Sequence, residues 1–179
     1  NPVIVITALS LFCYMGLETS MGGWITTYAT AEGFSARGAS IVLSSFWIGL
    51  MAARLITCKL VTPANGIMVI AVLAAAAAIS IGLMIATRSK ISAAVFVAIT
   101  GLSFGPLFPT IVGVTFSKID PGLYGSAFGI MFAVGLLGGS TLPVAIGIYA
   151  RDKSIKKSLP IAMAAAFVLL IIALIMGKM

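Results

Sequence analysis

The stretch GIMVIAVLAAAAAISIGLMIAT, residues 66–87, runs for 22 positions without a charge. A helix that crosses the hydrocarbon core of a bilayer needs about 20 mostly apolar residues. The stretch shows no strand-like alternation and no polar stripe, so it reads as a membrane-spanning helix. Outward from it lie two more such runs, Gly38–Val61 before and Ile91–Phe116 after. Beyond these come Val3–Ala29, Tyr124–Ala150 and Leu159–Gly177. The joints are short: Thr30–Arg37, Thr62–Asn65, Arg88–Lys90, Ser117–Leu123 and Arg151–Ser158. Each carries charge, Pro, Asn or Gly, which are stop and turn signals. Spans must be helical, because lipid offers no partner for an unpaired strand, and the ten-residue alternation of a barrel is absent. The expected fold is all-α: one six-helix transmembrane domain over residues 1–179, with long spans tilted.

Composition agrees. The chain is 61% hydrophobic and 8% charged, against about 25% charged in a soluble domain. So few charges cannot make a water-facing surface. Hydrophobicity this high excludes disorder, and two cysteines, Cys13 and Cys58, do not make a disulfide scaffold. The net charge of +7 is spread thinly and clusters only at Arg151–Lys157. That is headgroup-flanking charge, not the sustained basic face of a nucleic-acid binder. Asn1-Pro2, without a basic n-region, shows no signal peptide and reads as a cut end. An even number of spans puts both termini on one side, with Lys59, Lys118 and Lys178. Arg37, Arg88, Lys90, Arg151, Lys153, Lys156 and Lys157 fall on the other, which the positive-inside rule makes cytoplasmic.

Within the spans, Gly101-xxx-Gly105, Gly125-xxx-Gly129 and Gly135-xxx-Gly139 are small-xxx-small patterns that let helix backbones approach. Pro106 and Pro109 in the fourth span, and Gly138, Gly139 and Pro143 in the fifth, predict kinks or hinges. Each proline frees a carbonyl one turn back. Broken helices in membranes line cavities and often mark a transport site.

Two charges fall well inside spans, Glu18 and Arg54. Intramembrane charges cost a few kcal/mol even on the lenient scale, so they are functional candidates. Helical spacing puts Tyr14, Glu18, Met21, Ile25 and Tyr28 on one face. A carboxyl between aromatic rings suits a sugar, whose hydroxyls meet carboxylates and whose C–H faces meet rings. Trp24 and Trp47 offer further ring surface, or anchor at the interface. The candidate substrate site is therefore Glu18, Tyr14, Trp24, Tyr28 and Trp47. Glu18 and Arg54 are candidates for coupling or gating; Arg54 alternatively pins a neighbouring carbonyl.

Enzymatic readings lack their groups. Gly101-Leu102-Ser103 is similar to the Gly-x-Ser of rhomboid proteases, but that chemistry needs a base and the chain has no histidine. Zinc and haem lose their ligands for the same reason. The carboxylates Asp120 and Asp152 lie in joints on opposite sides, and no phosphate-cradling loop exists. No enzyme, cofactor or metal is expected.

The run Phe12-Cys13-Tyr14-Met15-Gly16-Leu17-Glu18-Thr19, with Gly22-Gly23-Trp24 and Tyr28, resembles the seventh helix of the fucose–proton symporter family within the major facilitator superfamily. Phe108-Pro109-Thr110-Ile111 resembles its tenth helix. Tyr124-Gly125-Ser126-Ala127-Phe128 with Gly138-Gly139 and Pro143 resembles its eleventh. Arg54 falls where the eighth often has Gly-Arg, although Ala53 precedes it here. The loop Thr62-Pro63-Ala64-Asn65-Gly66 lacks the usual basic cluster. The resemblance implies the C-terminal six-helix half of a twelve-helix carrier that moves a sugar with a proton or sodium ion. It implies a partner N-terminal half, a location in the cell (inner) membrane, and termini in the cytoplasm, opposite to the charge bias. The alternatives are a half-size carrier acting as a homodimer, a carrier of an organic anion or drug, and a non-transporting interaction module.

Overall fold

The computed structural model describes residues 1–151 and 153–178; Asp152, named above, lies outside them. The described residues form helices and turns with no strand. Helix α1 is Pro2–Ala31, α2 Ala36–Thr57, α3 Pro63–Ala86, α4 Lys90–Phe104, α5 Leu107–Phe116, α6 Tyr124–Ala150 and α7 Ile155–Met176, with a 3₁₀ turn at Pro121–Leu123. Taking α4 and α5 as one interrupted span, six are long and apolar enough to cross a membrane.

Several boundaries move from those expected. The second span ends at Thr57, not Val61, and the third starts at Pro63, not Gly66. Pro63 and Asn65 are a helix start, not a joint. Proline is favoured in the first turn because its missing N–H needs no partner there, and the Asn65 side chain accepts from the Thr62 N–H at 2.8 Å. The last span begins at Ile155 instead of Leu159, with Lys156 and Lys157 in its first turn. Lys156 is held there: its ammonium pairs with Glu32 at 3.0 Å and donates to the Thr87 carbonyl. That pins the start of α7 to the ends of α1 and α3. The expected interruption of the fourth span is present between α4 and α5. The fifth is not broken: α6 runs as one helix through Gly138-Gly139 and Pro143.

Helix α1 is central and touches α2, α4, α5, α6 and α7. The most extensive pairings are α1 with α6, α3 with α7, and α2 with α4. Exchanging the first three spans with the last three maps the α1–α6 pairing onto α2–α4. Both pairings depend on missing side chains. A Cβ at Gly138 would overlap the Phe12 carbonyl; one at Gly101 or Gly105 would overlap the carbonyl of Phe46 or Leu50.

Candidate functional site

Prolines set the geometry. Pro109 has no N–H, so the Gly105 carbonyl one turn back loses its helical donor. Arg54, reaching across from α2, replaces it: Nε donates to the Gly105 oxygen at 2.9 Å. Its Nη2 also donates to the Tyr14 hydroxyl at 3.4 Å. Pinning a carbonyl was the structural alternative for Arg54, and the freed Gly105 oxygen gives it a cause. Tyr14 is fully buried, edge-on to Phe104 at 6.2 Å and tilted on Phe108 at 6.1 Å. Glu18 follows it one helical turn on, on the same face of α1. Glu18 and Arg54 form no direct ion pair; among the described residues the ion pair is Lys156–Glu32. Arg54 thus ties Tyr14, one helical turn from Glu18, to the α4–α5 joint; because α2 ends at Thr57, Arg54 stands in its last turn and not well inside the span as expected.

The second proline follows the same rule. Pro143 frees the Gly139 carbonyl, and the single Thr19 O–H is shared between it, at 3.0 Å, and the Met15 carbonyl, at 2.7 Å. The Pro143 carbonyl in turn accepts from the Trp24 indole N–H at 3.1 Å.

On the α1 face that carries the expected site, Tyr14, Met21, Ile25 and Tyr28 are buried and only Glu18 keeps partial exposure. Half of the apolar window of α1 is buried, and most of that face lies on the buried half. Tyr28 donates its hydroxyl to the Met84 carbonyl at 2.8 Å and fastens α1 to α3. It lies 14 residues, roughly 21 Å, along α1 from Tyr14. Trp24 lies six residues past Glu18, about 240° round the helix at 100° per residue. Its ring packs against Gly147 and borders two open grooves of about 550 and 390 Å³, both shared with Arg151. Trp47 sits on α2 with its ring against Gly22 and edge-on to Phe46 at 5.1 Å, 43% exposed. The structure thus brings together Glu18, Tyr14 and Arg54, and leaves Trp24, Tyr28 and Trp47 elsewhere.

An aromatic row joins the cluster that the sequence reading did not single out. Phe108 on α5 meets Phe132 on α6 edge-on at 6.5 Å, and Phe132 stacks on Phe128 at 5.5 Å. With Tyr14 on Phe108, four rings run from α1 across α5 to α6. The available signal was Phe128 and Phe132, four apart on one helix.

Arg54 also borders a cavity of about 260 Å³, walled by Thr57, Cys58, Pro63, Pro109 and Gly113 among others.

No protein-family model matches the sequence. A curated protein, "Bypass of stop codon protein 6" of Saccharomyces cerevisiae, is 39% identical over 56 residues, 31% of this chain and 11% of that protein. Two solved structures match over 96% of the chain. A variant of the E. coli fucose:proton symporter does so with a TM-score of 0.81, and a major facilitator superfamily transporter, FucP, in the outward conformation with 0.76. Both are 20% identical, and the chain covers 42% and 41% of their lengths. The fold is therefore that of one half of a major facilitator transporter, and the chain is an integral membrane protein.

Proposed function

We propose that this half-transporter fold serves secondary active transport, carrying a sugar or sugar-like solute by alternating access with a proton or sodium ion. An N-terminal six-helix half, or a second copy, completes the carrier in the cell (inner) membrane. The observation that carries the reading is Glu18: a carboxyl group at mid-span, partly exposed, with no cation salt-bridged to it among the described residues, one helical turn from Tyr14, whose ring meets a row of others. Carboxylate and hydroxyl suit sugar hydroxyls, and rings suit C–H faces. Phe108, Phe132 and Phe128 take the role first assigned to Trp24, Tyr28 and Trp47.

The same chain of contacts supplies coupling. A solute or proton on Glu18 alters what Tyr14 feels, Tyr14 shares Arg54, and Arg54 holds the Gly105 carbonyl at the α4–α5 joint. A ligand shifts a conformational equilibrium only by its differential affinity for the two states. Here that difference resides in whether Arg54 stays on the joint. Radiolabelled-sugar uptake by the full-length protein in proteoliposomes tests this. Glu18→Gln should lower the apparent affinity at least about tenfold, roughly 1.4 kcal/mol, and flatten the pH dependence. Unchanged affinity and pH profile would remove Glu18 from the site.

A further inference from the structure

The guanidinium of Arg54 has five N–H donors. One goes to Gly105 and one to Tyr14. The other three have no acceptor among the described residues, and no carboxylate pairs with the charge. Two of them belong to Nη1, which makes no hydrogen bond to the described residues and is not sealed in: the buried side-chain polar atom left without a partner among the described residues is Ser20 Oγ. The Nη1 donors therefore open onto accessible space, and Arg54 borders the 260 Å³ cavity.

That cavity offers nothing negative. Its side-chain walls are apolar or hydroxylic: Val61 and Val114, Pro63 and Pro109, Thr57 and Thr62. The Thr57 hydroxyl is already spent on the Ala53 carbonyl at 2.6 Å. The first turn of α3, which forms one wall, contains no acidic residue. A cation with unspent donors on an apolar floor is complementary to an anion with an apolar body. We propose that this cavity binds a small water-soluble monocarboxylate: the carboxylate on Arg54 and the apolar part among Val61, Pro109 and Val114. This site is separate from Glu18 and independent of which solute Glu18 meets. It draws on the same Arg54, so its occupant competes for the residue that holds the α4–α5 joint.

Cys58 reports on the site, since it lines the cavity and is exposed, whereas Cys13 is buried. The experiment follows the rate of Cys58 alkylation by N-ethylmaleimide on the full-length protein in nanodiscs of neutral lipid. Benzoate is the probe and benzyl alcohol its uncharged control. At twice its Kd, benzoate should slow labelling about threefold, and benzyl alcohol should not. Arg54→Gln should abolish protection while Arg54→Lys keeps part of it. Because Arg54→Gln also loosens the joint, Gly113→Leu gives an independent arm. Gly113 lines the cavity and a Cβ there meets nothing within 4 Å, so the leucine fills the space and should end protection with Arg54 intact. Equal protection by benzyl alcohol, protection that survives both variants, or slowing only when anionic lipid is added would overturn the proposal. Unaltered sugar uptake in Gly113→Leu with loss in Glu18→Gln would keep the two sites distinct.

Discussion

The α1–α6 and α2–α4–α5 seams are built to one plan and finished differently. In each, helices touch through a glycine whose missing Cβ admits a carbonyl of the neighbour: Gly138 against Phe12 in one, Gly101 and Gly105 against Phe46 and Leu50 in the other. In each, a proline strips a glycine carbonyl of its donor and a side chain from the neighbouring helix replaces it. The α1–α6 seam uses the Thr19 hydroxyl, which also bonds within its own helix to the Met15 carbonyl at 2.7 Å. The α2–α5 seam uses a cation whose second contact leads through Tyr14 towards Glu18. A neutral, short-range replacement leaves α6 in one piece; where Pro106 and Pro109 fall together, the span splits into α4 and α5. What differs is connectivity: one seam's repair ends locally, while the other's is wired to the intramembrane carboxylate.

The largest effect should come from filling the glycines, which breaks both seams alike. The atoms in the way are backbone and cannot rotate aside. Gly101→Val and Gly138→Val should each cost at least about 3 kcal/mol, at the upper end for overpacking. They should be measured as loss of monodisperse protein or as the midpoint of unfolding in detergent. A variant that keeps its midpoint would show that its seam is not held by backbone contact.

Removing the replacement donors separates the seams. Arg54→Leu strips a charge-assisted bond from a freed carbonyl and should cost about 1.5–3 kcal/mol. Thr19→Val should cost about 0.6–1 kcal/mol, typical of neutral bonds between membrane helices. The decisive measurement restores the backbone donor. Pro109→Ala gives residue 109 an N–H for the Gly105 carbonyl, so Arg54→Leu should cost less in that background than alone. Pro143→Ala should do the same for Thr19→Val. Strictly additive free energies in either cycle would mean that the proline is not the reason the side chain is needed.

This plan was partly legible beforehand. Six spans could be read because charges and turn residues gather at the joints. Their starts were harder: Pro63 and Lys156 look like loop residues, yet the first turn of a helix tolerates proline, and charge there sits near the membrane surface. The prolines announced freed carbonyls, but not which side chain would fill them. Thr19 and Arg54 lie 120 and 51 residues from their acceptors in sequence. Glu18, Tyr14 and Arg54 were visible as rare polar groups in apolar spans. The Phe108–Phe132–Phe128 row was not, since phenylalanine in a membrane helix is unremarkable until two helices bring the rings together. Tyr28 was misplaced because spacing predicts a shared face without revealing that a central helix buries most of it.

The smallest effect should come from the glycine pair that neither seam uses. Of the three small-xxx-small patterns, Gly101-xxx-Gly105 and Gly135-xxx-Gly139 are packed inside the bundle. A Cβ at Gly125 or Gly129 would meet nothing within 4 Å. Alanine is also the better helix former by about 1 kcal/mol. Gly129→Ala should therefore leave the unfolding midpoint of this six-helix bundle unchanged or raise it, by no more than about 1 kcal/mol. In the completed carrier the same substitution should behave differently if a helix of the second half rests there, since a methyl would then keep two backbones apart. Comparing the Gly129→Ala midpoint for the bundle alone with that for the bundle joined to the partner proposed above, an N-terminal half or a second copy, separates the cases. A drop confined to the joined form would make Gly125-xxx-Gly129 a third seam, shared with that partner. No drop in either would leave it a lipid-facing stripe, and the two seams described would be the ones on which backbone contact bears.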